Sequence, residues 1–193
     1  DAFYKGEIAK RLVEGVQAGG GIITMNDLAK YEAKVRTPVR GTYRGYEVIG
    51  MPPASSGGTT VIQMLNILEA YDLSEMHRRS PSTIHLLTET MRIGFYNRAK
   101  YLGDTDFVEV DLPLLTSKDF SKPLQQKIDL KQATKSLALG ADIVTRPEGM
   151  ETTHFSVVDA QGNAVANTYT LEAGYGSRVI GKDAGFLLNN EMH

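Results

Sequence analysis

Few stretches of this sequence set reactive side chains at a spacing that chemistry could use. Thr152-Thr153-His154-Phe155-Ser156 stands out, but a threonine hydroxyl is a poor nucleophile at its own pKa and needs a base. By residue type alone this stretch is the start of a strand, because Thr is a common β-former. The histidines His77, His85, His154 and His193 show no metal-ligand spacing and read as surface or satisfied core residues. Asp104, Asp106, Glu109 and Asp111 gather after a helical pattern, yet the EF-hand spacing with its central glycine is missing. They read as a solvated acidic loop. Gly57-Gly58 ahead of a helix could hold an anion at the helix N-terminus. No Lys-Ser/Thr follows, as a phosphate-binding loop requires, so a tight turn is the better reading.

Helical periodicity comes first along the chain. Residues 1–18 carry Ile8, Leu12, Val13 and Val16 at helical spacing, and Gly19-Gly20-Gly21 ends the pattern. Asn26 and Asp27 offer a cap for a short helix from Leu28 to about Ala33. Residues 36–51 are rich in β-formers around Arg44-Gly45, which predicts a hairpin. The loop from Pro52 to Gly58 feeds a helix whose apolar face is Val61, Met64, Leu65 and Leu68. Ser80-Pro81 opens a longer helix, with Ile84, Leu87, Met91 and Phe95 on its apolar face and Leu102-Gly103 at its end. A short helix is expected over Pro123–Ile128, and a mobile or extended connection over 129–151.

The composition shifts at Thr152. Residues 154–158 and 164–171 predict two strands joined by the turn Asp159–Asn163, and 185–189 predict a third. Helices followed by strands suggest an α+β fold. The chain has 193 residues, 41% apolar and 23% charged, with a net charge of −2. That is an ordinary globular composition without the basic stripe that nucleic acid would demand. No cysteine is present, which removes thiol catalysis and thiolate metal sites. No apolar run approaches the roughly 18 residues of a membrane span. Both ends, Asp1 without an initiator Met and Glu191-Met192-His193 after an apolar run, look cut from something longer.

Taken together, several blocks resemble the gamma-glutamyltransferase (gamma-glutamyltranspeptidase) family. Thr152–Asp159, Gly162–Ala166, Thr168–Leu171 and Leu187–Met192 are similar to the start of that family's small subunit. Phe3–Gly6, Gly20–Thr24, Tyr43–Tyr46, Met51–Gly58 and Tyr101–Asp104 are similar to its large subunit. These blocks run in order through the chain.

The resemblance implies an N-terminal nucleophile hydrolase: a four-layer αββα sandwich, incomplete in this chain, from a precursor that cuts its own backbone. Cleavage would fall between Glu151 and Thr152. Residues 1–151 would be the C-terminal part of the large-subunit region, and 152–193 the start of the catalytic small-subunit region, forming one structural domain and a heterodimer after the cut. The exposed α-amino group of Thr152, with a reference pKa of about 7.7–8.0, would then serve as base for the Thr152 hydroxyl. The implied reaction is attack on a glutathione-like γ-glutamyl amide, through an ester on Thr152 that water or an amine resolves, with no metal or organic cofactor. Thr170 would support the nucleophile, and Glu172 and Glu191 would hold the substrate's α-amino group. Thr153 is at least as readily a structural strand residue.

Two departures stand against that pattern. His193 occupies a position where the family usually has Asp, and the next Asp lies beyond the chain. The Gly-Ser-rich oxyanion block and the arginine that binds the substrate carboxylate are also absent. Rival readings are a cephalosporin or glutaryl acylase, a poly-γ-glutamate processing enzyme, or a non-catalytic homologue. A periplasmic or secreted bacterial enzyme is the expected setting.

Overall fold

A computed structural model describes residues 1–141 and 152–190. In chain order its elements are α1 (Glu7–Ala18), α2 (Met25–Lys30), β1 (Val39–Tyr43), β2 (Tyr46–Gly50), α3 (Gly57–Leu68), α4 (Pro81–Tyr101), α5 (Leu112–Leu115), α6 (Lys118–Gln125), α7 (Ser136–Gly140), β3 (Thr152–Val158) and β4 (Ala164–Thr170). The fold is α+β. It divides into two compact units, Val35–Thr145 and Asp1–Lys34 with Arg146–His193.

In the Val35–Thr145 unit, β1 and β2 pair antiparallel around Arg44-Gly45, as the turn chemistry predicts. Both turn residues have positive φ, 49° and 85°, the backbone that two-residue hairpin loops require. Helix α3 lies directly on this hairpin. A Cβ on Gly58 would stand 2.3 Å from the Met51 carbonyl oxygen, so only glycine admits the contact. The core joins Ile67 and Leu68 of α3, Leu86 and Ile93 of α4, Leu124 of α6, and Ile128.

The buried faces of α3 and α4 differ from the apolar stripes that periodicity picks out. Helix α3 buries Thr59, Ile62, Gln63, Asn66, Ile67 and Leu68 and exposes Val61. Helix α4, capped by Ser80 as expected, buries Leu86, Glu89, Thr90, Ile93 and Asn97 and exposes Ile84, Leu87, Met91 and Phe95. The buried amides and the carboxylate turn inward to partners, whereas the hydroxyls of Thr59 and Thr90 are buried without one among the described residues. Asn97 Nδ2 donates to Gln63 Oε1 at 2.8 Å, Gln63 Nε2 to Leu115 O at 3.3 Å, and Asn66 Nδ2 to Thr116 O at 2.8 Å. Glu89 accepts from Arg92 at 3.1 Å and from Thr134 N–H at 3.2 Å. Bonded in this way, amides and a carboxylate can occupy a core. The helix expected over Pro123–Ile128 instead runs from Lys118 to Gln125, because Ser117 caps it by accepting from Phe120 N–H at 3.1 Å. Within the stretch predicted as an extended connection, Ser136–Gly140 is helical.

In the other unit, α1 begins at Glu7, inside the predicted span, and buries Ala9, Leu12, Val13 and Val16. The cap of α2 is Thr24 rather than Asn26 or Asp27. Thr24 Oγ1 accepts from Asp27 N–H, while Asp27 Oδ2 accepts from Thr24 N–H at 2.8 Å, a reciprocal capping box. Strands β3 and β4 form the predicted antiparallel hairpin. The third strand, over 185–189, does not form. Gly185 sits at φ 77°, and pairing there is limited to the bridge between Ile180 and Leu187.

Candidate active site

The β3–β4 register brings Thr152 directly opposite Thr170. Directly paired residues on one sheet face have Cβ atoms about 4.5–5.5 Å apart, close enough for one hydroxyl to act on the other. That register is fixed at the far end of the hairpin. Asp159 Oδ1 accepts from Gln161 N–H at 2.9 Å and Asn163 N–H at 2.8 Å, and Oδ2 accepts from the Asn163 amide at 2.8 Å. These donors, the Asn163 side chain first, hold the Asp159 carboxyl below its ordinary pKa. Because side chains alternate along a strand, a slip of one residue would turn Thr152 and Thr170 to opposite faces.

Thr152 and Thr170 line a cleft of about 290 Å³ with Thr153, Tyr169, Leu171, Ala173 and Gly174. Thr153 pairs with Tyr169, on the other face of the hairpin from Thr152. Glu172 is the second residue after β4 and is half-buried, with its backbone at φ 73°. Its N–H donates to Thr170 Oγ1 at 2.8 Å, and its Oε2 accepts from Asn190 Nδ2 at 2.5 Å. Thr152, Thr170 and Glu172 therefore gather at one end of the hairpin. Glu151 and Glu191, the other two residues expected in the site, lie outside the described residues, as does His193.

Two residue pairs along, on the same face as Thr152, His154 faces Thr168 across the strands. Its Nδ1 is 2.7 Å from Thr168 Oγ1, and its Nε2 is 3.3 Å from Ser156 Oγ. His85 bonds the Asp129 carbonyl at 2.7 Å. Part of the acidic cluster forms an ion pair: Arg36 reaches Asp106 at 2.8 Å and Asp104 at 3.7 Å. Asp106 is the first cause of the raised Arg36 pKa. Among the described residues, no three of His, Cys, Asp and Glu stand together as a metal site would need, and no helix is long and apolar enough to cross a membrane. Neither Thr168 nor Asn190 is singled out by sequence reasoning. The alternation of β4 was the available signal for Thr168, and the doubled amide of Asn189-Asn190 for Asn190.

Two opposed hydroxyls in a cleft, with a carboxylate on the adjoining turn, are groups that nucleophilic acyl transfer can use. Comparison with known proteins identifies the family. The profile of one protein family, described as gamma-glutamyltranspeptidase, matches residues 1–193. The glutathione hydrolase proenzyme of Escherichia coli strain K12 is 43% identical over 192 residues, covering 100% of this chain and 33% of that protein. The acylase ACY 1 proenzyme of Pseudomonas sp. strain SE83 is 40% identical over 193 residues, covering 100% of this chain and 34% of the relative. The crystal structure of Helicobacter pylori gamma-glutamyltranspeptidase superimposes with a TM-score of 0.66 at 39% identity, covering 75% of this chain and 43% of the other. The chain thus spans about a third of the length of the curated relatives it matches.

Proposed function

Because this chain belongs to the gamma-glutamyltranspeptidase family, we propose that it is the part of a self-processing γ-glutamyl transferase or hydrolase precursor that spans the cleavage point. The observation that carries the reading is the pairing of Thr152 with Thr170 at the mouth of a cleft. Hydrolysis of the Glu151–Thr152 peptide bond leaves a carboxylate on Glu151 and a free α-amino group on Thr152. That amine takes the proton from Thr152 Oγ as the oxygen attacks the γ-amide carbonyl of a glutathione-like donor. The C–N bond breaks, the leaving amine carries off a proton, and a γ-glutamyl ester remains on Thr152. Water or an acceptor amine then resolves the ester. Thr170 supports the nucleophile. Glu172 and Glu191 face the donor's α-ammonium group, where a carboxylate makes a charge-assisted hydrogen bond.

After the cut the two pieces stay associated as a heterodimer. Contacts from α1 to the 181–182 turn lie on either side of the cleavage point. A Cβ on Gly15 would come within 2.5 Å of Lys182 N, and Glu14 pairs with Lys182 at 3.7 Å. The complete fold in this reading is the four-layer αββα sandwich, with further strands beside β3 and β4. Both strands are exposed along nearly all their length, and a lone two-stranded hairpin is marginal in water. The same reading takes the enzyme to be periplasmic or secreted in a bacterium.

The acylase relative favours a second reading, an acylase of the same family, for which the glutaryl acylase weighed from the sequence is the case to test. Rates on γ-glutamyl anilide and glutaryl anilide distinguish them, since only the first carries the α-amino group. A γ-glutamyl transferase prefers the first by at least about tenfold, one charge-assisted hydrogen bond's worth. A preference for glutaryl anilide would refute it in favour of the acylase.

A further inference from the structure

The turn that closes β4 is tied down by one amide. Asn190 donates from Nδ2 to Glu172 Oε2 at 2.5 Å and accepts at Oδ1 from Ala173 N–H at 3.1 Å. Its backbone N–H donates to Leu171 O at 3.2 Å. Asn190 thus bonds all three residues of the turn, 171, 172 and 173. The arrangement admits one orientation of the side chain. The Ala173 N–H can only donate, so the amide oxygen must face it, and the NH2 group must face the carboxylate. Glu172 needs such a tether. Its φ of 73° lies in the left-handed region that residues with a Cβ rarely adopt.

From this geometry we infer that Asn190 is a positioning residue for Glu172, holding its carboxylate towards the donor's ammonium group and so setting the preference for γ-glutamyl over des-amino donors. The inference rests on the proposed role of Glu172. The tether also connects the substrate's amino end to the nucleophile's support, because Glu172 N–H is itself bonded to Thr170 Oγ1. Glu172 is the group that meets the donor; Asn190 acts through it.

The test is a double-mutant cycle in the full-length processed enzyme, comparing parent, Asn190→Ala, Glu172→Ala and the double variant. Each is assayed with γ-glutamyl anilide and with glutaryl anilide, the latter followed as substrate or as competitive inhibitor. Asn190→Ala is expected to raise KM for γ-glutamyl anilide about tenfold, the loss of one hydrogen bond to a charged group, with glutaryl anilide changed less than twofold. In the Glu172→Ala background the same change adds nothing further. Equal losses on both donors, no loss at all, or full additivity with Glu172→Ala would overturn the inference. Should Asn190→Ala fail to accumulate, the isosteric Asn190→Asp sets a carboxylate against Glu172. It should weaken γ-glutamyl anilide more than glutaryl anilide, with recovery on adding Glu172→Gln; absence of that pattern overturns the inference equally. A parent enzyme active on glutaryl anilide but not on γ-glutamyl anilide would instead refute the function on which it rests.

Discussion

Replacing Gly58 by alanine sets two effects of opposite sign against each other. Alanine favours a helix over glycine by about 1 kcal/mol in a helix interior, and less near the N-terminus, where Gly58 sits. Against that gain stands a collision. The new Cβ would lie 2.3 Å from the Met51 carbonyl oxygen, 2.6 Å from Val39 Cγ2 and 2.7 Å from the Gly50 carbonyl carbon. Two of those three atoms are backbone at the end of β2 and cannot rotate away, so α3 must lift from the hairpin by roughly 1 Å, which costs about 1–3 kcal/mol. The net loss is about 1–2 kcal/mol, a fall in unfolding midpoint of roughly 2–8 °C for a chain of this size. The neighbouring residue provides the control. A Cβ on Gly57 meets only Ser55 Oγ, at 3.6 Å, so Gly57→Ala should be neutral or slightly stabilising. Thermal unfolding of the two variants beside the parent is the assay. A Gly58→Ala protein that unfolds at or above the parent's midpoint would refute the close-contact explanation of this glycine pair.

Glu69 gives a pH dependence. Its carboxyl is held below the ordinary range first by the hydrogen bond from Lys118 Nζ at 2.5 Å, then by Arg44 N–H at 2.8 Å. A lowered folded-state pKa stabilises above the carboxylate's ordinary pKa, and that contribution disappears as pH falls through the folded value. Glu69→Gln should therefore cost about 1 kcal/mol at neutral pH, limited by solvent screening, and nothing in acid; equal cost in urea denaturation at both would contradict the assignment. Thr170→Val keeps the β-branched shape and removes the hydroxyl that faces Thr152 and accepts from Glu172 N–H at 2.8 Å. Gel-based timing should show precursor cleavage slowed by about 10²-fold with the fold retained, and an unchanged rate would remove Thr170 from the site.

The hairpins were legible in the sequence because their signals are local. Arg44-Gly45 and Asp159–Asn163 are turn chemistry that no distant contact overrides. The cap at Ser80 was legible for the same reason. The buried faces of α3 and α4 were not, because periodicity counts apolar residues, whereas these helices bury Gln63, Asn66, Glu89 and Asn97 against partners far along the chain. At residues 185–189 the β-forming composition was overridden by a left-handed glycine and by bonds to the 177–179 turn. Thr152 illustrates a different limit. Its residue type indicates only a strand, and resemblance alone raised it to a nucleophile. The resemblance also implied Thr170 and Glu172, and the fold adds their geometry: Thr170 stands directly across from Thr152, and Glu172 N–H donates to the Thr170 hydroxyl. Asn190 escaped notice because the block containing it pointed to Glu191, while its three hydrogen bonds span 17–19 residues of sequence.

Self-cleavage at Thr152 is the central claim, and intact mass measures it most directly. The purified full-length protein and its Thr152→Ala variant are weighed side by side. The account predicts that the parent resolves into two pieces, one ending at Glu151 and one beginning at Thr152, while the variant stays whole. A parent that remains uncut, or a variant that is cut at the same bond, would contradict it.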